Sequence, residues 1–148
     1  MTKTTRDILI RLSWLWQLPQ QALGYIYALI LDCAPQTTTI RHDDGRVIHY
    51  SSWQRGGITL GSHIFLPHYY LNLKQGAARV HHESGHYIQS LLLGPLYLLI
   101  IGLPSLAWSA LRLIKRIKEA HSYYWFYTEA WAMRLADRYY ASPIKSYA

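Results

Sequence analysis

One cysteine, Cys33, is all that the chain carries, so no disulfide can close within it and no cysteine cluster can hold a metal. Any metal site must be built from histidines and carboxylates. Carboxylates are scarce as well: there are three glutamates, Glu83, Glu119 and Glu129, and five aspartates, against 15 lysines and arginines. Phenylalanine occurs twice, whereas tyrosine occurs 13 times and tryptophan six. Aromatics with a polar tip suit places that are apolar at one end and wet at the other, membrane interfaces included. Internal repeats and low-complexity tracts are absent. What is there is a chain of 148 residues with formal net charge +7. That length is enough for one domain with a real core, read as residues 1–148. The charge is compatible with nucleic acid or with anionic lipid. No nucleic-acid motif accompanies the basic residues, which gather beside an apolar segment, so nucleic-acid binding is not expected.

The chain is organised around His82-Glu83-Ser84-Gly85-His86. Residues four apart on a helix share one face, so His82 and His86 can both reach one zinc ion. Glu83 points beside that ion, where it can take a proton from water and pass it to a leaving amine. The flanks, Gln75 to Val80 and Tyr87 to Leu93, suit a helix that stops at Gly94-Pro95. Gly85 weakens this helix by roughly 0.8–1 kcal/mol relative to Ala. A close backbone approach of metal or substrate is the expected reason.

Before the motif, residues 1–34 read as a helical arm. Lys3, Arg6 and Arg11 precede an uncharged run from Leu12 to Leu31 that is interrupted by Gln17, Pro19, Gln20 and Gln21. A signal peptide fits the order of charge and apolar residues, but Asp7 and the glutamines argue against it. An amphipathic or membrane-dipping arm broken near Pro19 is expected, with a helix packed on the protein's own core as the alternative. Thr37–His42 and Val47–Trp53 then read as strands joined by a turn at Asp43-Asp44-Gly45. His42 and His49 on that hairpin are expected to be exposed. Ile58 to Leu66 reads as a third strand ending at Pro67, giving a short antiparallel sheet ahead of the motif helix.

After the motif, Tyr87 to Leu111 contains no charged residue. The length would cross a bilayer, but Gly94-Pro95 and Gly102/Pro104 suit an apolar helical hairpin or re-entrant segment better than one span. Arg112, Lys115, Arg116 and Lys118 follow at once, as an anionic leaflet and the positive-inside rule would favour. The other reading is a core helix with a solvated basic end. A final helix is expected from Ser122 to Tyr140.

On that helix Phe126, Glu129, Ala130, Met133, Ala136 and Asp137 share a face. An unpaired carboxylate on such an apolar stripe is costly, and a metal ion removes the cost. Glu129 is therefore the preferred third ligand, with Asp137, His121, Glu119 and His63 as alternatives. Glu119 is expected to pair with Lys115 or Arg116, and His81 faces away from the His82/His86 side. His68, like His63, lies near enough in sequence to reach the site.

With these residues in place, the chain resembles the zincin metallopeptidases, and among them the gluzincins. The resemblance rests on His82, Glu83 and His86 in one helix and Glu129 in a later one. It implies that His82, His86 and Glu129 hold zinc while Glu83 activates the water in the fourth position. It also implies that the strand ending at Leu66 corresponds to the edge strand that pairs with extended substrate. Gluzincins carry an Asp four residues after the ligand Glu, where it orients a ligand histidine; Met133 stands there in this chain. The segment Leu92–Tyr97 is similar to parts of small bacterial membrane-associated proteins. The expected fold is α+β, a minimal zincin-like core of short antiparallel sheet, active-site helix and glutamate helix. The N-terminal arm and an apolar insertion at 87–111 are added to that core. The expected function is zinc-dependent hydrolysis of a peptide or protein substrate at a membrane, placed at a bacterial inner membrane with the basic cluster facing the cytoplasm. His121, Tyr123, Tyr124 and Tyr127 are candidates for stabilising the oxyanion. The rival is a non-catalytic, membrane-associated zinc-binding scaffold.

Overall fold

The computed structural model describes residues 3–140. Met1 and Thr2 of the expected arm, the end of the 1–148 domain from residue 141, and the side chains of Lys3 and Arg116 lie outside the described part. The architecture is α+β. Two helices, α1 (Lys3–Trp16) and α2 (Leu18–Leu31), form the arm. The break falls at Gln17, and Pro19 sits in the first turn of α2, where its missing N–H leaves no helical bond unmade.

Strands β1 (Thr37–Arg41) and β2 (Val47–Ser51) pair antiparallel around the expected turn, with Gly45 at φ 93°. The expected third strand is two strands, β3 (Ile58–Leu60) and β4 (His63–Pro67), reversed at Gly61-Ser62. Gly61 adopts φ 61°, which favours glycine, and Gln21 of α2 accepts bonds from the Ser62 amide and hydroxyl at 3.3 and 2.9 Å. The hairpin inserts β4 beside β2, so the order is β1-β2-β4-β3 with β2 and β4 parallel. The sheet is therefore mixed rather than antiparallel. The strand ending at Leu66 is interior, and the edge on the motif-helix side is β3.

The sheet is covered on both faces. Ile48, Tyr50, Ile64 and Leu66 pack with Val80 of α3 (Lys74–Leu93), while Phe65, one residue out of phase, packs with Ala28 and Leu31 of α2. The charge-free run from Tyr87 forms several short elements. It supplies the last turns of α3, a 3-10 turn (Gly94–Leu96), a π-helical turn (Leu98–Gly102) and α4 (Leu103–Leu111), with Tyr87, Tyr97, Ile101 and Trp108 buried. No helix of the described residues is long and apolar enough to cross a membrane. A short α5 (Lys115–Ala120) and a 3-10 turn (Tyr123–Trp125) lead to α6 (Tyr127–Tyr139), which packs along α3. The final helix thus starts later than Ser122, because Phe126 is extended (φ −71°, ψ 140°).

Gly85 owes its identity to this helix pair. A Cβ there would collide with the carbonyl of Ala132 on α6. The close approach is that of a neighbouring helix, not of metal or substrate.

Candidate metal centre

The spacing of four along α3 brings His82 and His86 to one side, and α6 delivers Glu129 in its first turn against them. Nε2 of His82 lies 3.0 Å and Nε2 of His86 3.3 Å from the same Glu129 oxygen, Oε2. The donor atoms of the three residues all lie within 4.8 Å of one another, and all three residues are buried, Glu129 completely. Burial by itself raises the Glu129 pKa, but hydrogen bonds from His82 and His86 outweigh it and hold the carboxyl below its usual range. For His86, burial opposes protonation, while the Glu129 bond and then the charges of Glu83 and Glu129 more than offset it and raise the pKa. Two imidazoles and one carboxylate converging in a water-poor interior form a group that can hold a metal ion, and the donor set suits a divalent cation.

An imidazole that offers Nε2 to a cation must carry its proton on Nδ1. For His86 that proton has an acceptor: Nδ1 is 2.7 Å from Oε1 of Gln89, whose amide in turn donates to the main chain of Thr128 at 2.8 Å. An amide one turn along α3 thus holds the ring nitrogen of His86 that is turned away from Glu129. The Thr128 hydroxyl donates to the other Glu129 oxygen, Oε1, at 3.2 Å and accepts from Ser105 at 2.8 Å. Nδ1 of His82 is buried with no hydrogen-bond partner among the described residues.

Glu83 stands apart from this convergence. Its Oε2 accepts a 2.7 Å bond from the Thr59 hydroxyl on β3, and Gly57 leaves the space its carboxylate fills, since a Cβ at Gly57 would collide with Oε1. Tyr97 donates to the main-chain oxygen of Thr59 at 3.1 Å. Two rings of the 3-10 turn close the site, Tyr124 at 5.2 Å and Tyr123 at 6.1 Å from the His82 ring. Burial, then the Glu129 charge, pushes the Tyr123 phenol well above its ordinary pKa. The other two oxyanion candidates are engaged elsewhere. His121 stacks on Trp125 at 4.2 Å, and Tyr127 donates to the carbonyl of Ile100.

The alternative ligands do not join the group. Asp137 bonds His81 at 2.9 Å, and Glu119 pairs with Lys115 at 3.8 Å. His63 lies with Phe65 on the sheet face away from α3, its Nδ1 3.0 Å from Nε2 of His49, and His49 Nδ1 meets Thr39 Oγ1 at 3.1 Å. His49 is buried rather than exposed, because α2 covers the face that a lone hairpin would leave wet. His68 begins a 3-10 turn after β4 and is not part of the group. Gln89 was within reach of sequence reasoning, being three residues beyond His86 on the same helix. Gly57 and Thr59 were not, since only strand placement brings them to Glu83.

No protein-family model, curated protein or solved structure matches the chain.

Proposed function

We propose that this protein is a zinc-dependent peptidase in which His82, His86 and Glu129 hold the ion and Glu83 is the general base. The observation that carries the reading is a division of labour on one helix. Two imidazoles converge with Glu129, while the third motif side chain, Glu83, is excluded from the convergence and held beside it by Thr59. A bound zinc ion supplies Lewis-acid polarisation of the scissile carbonyl and lowers the pKa of water at the site. The chain's own residues do the rest. Glu83 accepts the proton of the attacking water and returns it to the departing amine, so no net proton is consumed. Thr59 fixes the carboxylate through Oε2, and Gln89 fixes the ring of His86. Tyr123 keeps its proton over the neutral range and is the phenol facing Glu129, so it can donate to the developing oxyanion.

A second reading has an observation in its favour. The histidines and both glutamates are almost wholly buried, and Tyr123 and Tyr124 lie against His82, which also suits a structural metal site. Elemental analysis combined with hydrolysis of a mixed peptide library separates the readings. The peptidase requires about one zinc per chain together with cleavage that disappears in Glu83→Gln. Zinc without cleavage by the wild type favours the non-catalytic scaffold.

A further inference from the structure

Helix α2 is built inside out. The side turned to the protein carries Gln17 just ahead of it, Gln20, Gln21 and Gly24, followed by Ala28 and Leu31. Gln17 and Gln20 are 0% exposed. Their amides bond within the fold: Gln20 donates to Ser90 Oγ at 3.0 Å and to the carbonyl of Gly94 at 2.8 Å, Gln17 accepts from Ser90 at 2.6 Å, and Oε1 of Gln20 is buried with no partner among the described residues. The outward side carries Leu18, Leu23, Tyr25, Ile26, Leu29 and Ile30, each about half exposed. At about 100° per residue these side chains sweep an arc of roughly 160°. A helix at a water surface has the reverse arrangement.

The same inversion recurs on α1 and α4. Along α1, Ile8, Leu12 and Leu15 face outward, and on α4 Ser105 bonds inward to Thr128 while Leu103 and Leu106 are exposed. The end of α1 meets the end of α3 at one seam. Trp16 donates to the carbonyl of Leu91 at 3.0 Å, and its ring lies so close to Gly94 that a Cβ there would collide. Leu92 and Leu96, both exposed, flank that contact.

We infer that this surface faces lipid, and that the protein sits within one leaflet of a bilayer with anionic headgroups. Three features favour a bilayer over a second copy of the chain. The apolar arc is too wide for one packing stripe and runs over three helices, which suits a fluid solvent that covers every side. Neither α2 nor α4 carries a charged residue, whereas Arg11 lies beside the apolar face of α1 and Lys115 and Lys118 lie on α5, the next helix after α4. Exposed Trp14, Trp16 and Trp125 supply rings of the kind that anchor at headgroup level. Embedding, not crossing, follows from length: the 14 residues of α2 rise about 21 Å, short of a hydrocarbon core of about 30 Å. The inference is independent of the peptidase reading, since it uses no residue of the metal group.

Vesicle flotation of the full chain tests it. The protein is expected to float with phosphatidylcholine–phosphatidylglycerol vesicles and much less with phosphatidylcholine alone. The combined variant Leu23→Gln, Ile26→Gln, Ile30→Gln, checked for an unchanged circular dichroism spectrum, is expected to lower binding at least tenfold. Should that variant not fold, the wild type still decides. Quenching of tryptophan fluorescence by brominated lipid in mixed vesicles is expected, and its absence overturns the inference. A wild type that stays out of both vesicle types overturns it too. So does a detergent-free dimer that the combined variant dissociates, because it assigns the surface to a second copy.

Discussion

The hydroxyl of Thr59 stands 2.7 Å from Oε2 of Glu83 and 3.2 Å from the main-chain oxygen of the same residue. A three-residue edge strand thereby sets the direction of a helix side chain. Thr59→Val keeps the volume and removes the donor. It is expected to lower kcat by roughly tenfold, about 1.4 kcal/mol in the barrier, while KM and zinc content stay near wild type. Thr59→Ser is expected to restore most of the rate. Steady-state kinetics that find Thr59→Val as active as wild type would remove the positioning role.

Glu129→Ala takes away the only carboxylate of the convergent group. Two imidazoles then remain in a buried site that has lost its charge match, so the purified variant is expected to contain little zinc. Glu83→Gln, by contrast, is expected to retain zinc and lose hydrolysis by roughly 10²–10⁴-fold, because it handles protons and does not bind the ion. Elemental analysis of both variants checks the pair. Full zinc content in Glu129→Ala would exclude Glu129 as a ligand, and zinc loss in Glu83→Gln would make Glu83 one.

Gln89 holds the ring of His86 through Nδ1, the nitrogen turned away from Glu129. Gln89→Leu is expected to weaken zinc affinity by roughly 10–100-fold, measured by competition with a chromogenic chelator. An affinity equal to wild type would mean that packing alone orients the ring.

Gly85→Ala sets two effects against each other. Helix propensity favours Ala by roughly 0.8–1 kcal/mol, but the new methyl group must enter the space held by the Ala132 carbonyl. Pushing α3 and α6 apart is costlier, and a net loss of about 1–3 kcal/mol is expected. Urea denaturation reads it directly. A raised midpoint would show that the two helices have room to spare.

The pair His49 and His63 predicts how stability depends on pH. Burial, then the neighbouring His49 and Arg41, lowers the His63 pKa from 6.5 to about 4, and burial lowers that of His49. Below about pH 6.5 the unfolded chain takes up protons that the folded chain refuses, so stability falls as pH drops from 6.5 towards 4. The slope is at most about 1.4 kcal/mol per pH unit for each histidine. The contribution is fully present above 6.5, and its slope vanishes below about 4. Urea midpoints between pH 7 and 4.5 are expected to fall less steeply in His63→Gln than in wild type; parallel curves would sink the assignment.

The convergence of His82, His86 and Glu129 was legible in the sequence because its geometry is mostly local. A spacing of four fixes two side chains on one helix face whatever surrounds it, and Glu129 stood out as a lone carboxylate on a stripe of small and apolar residues. The β1–β2 hairpin was legible for the same reason, its turn being written in Asp43-Asp44-Gly45. The polar interruptions at Gln17, Gln20 and Gln21 marked α2 as unusual, but not which way it faces. Only the tertiary structure decided that Ile58–Leu66 folds back at Gly61, where Gln21 from a distant helix holds Ser62. That reversal makes the sheet mixed and turns β3, not β4, into the edge beside Glu83. The burial of His49, the collision that keeps residue 85 a glycine and the bond from Thr59 to Glu83 likewise depend on partners tens of residues away. Helical spacing and turn chemistry act through neighbours in the chain, whereas strand order and face burial are set by which surfaces meet once the chain has folded.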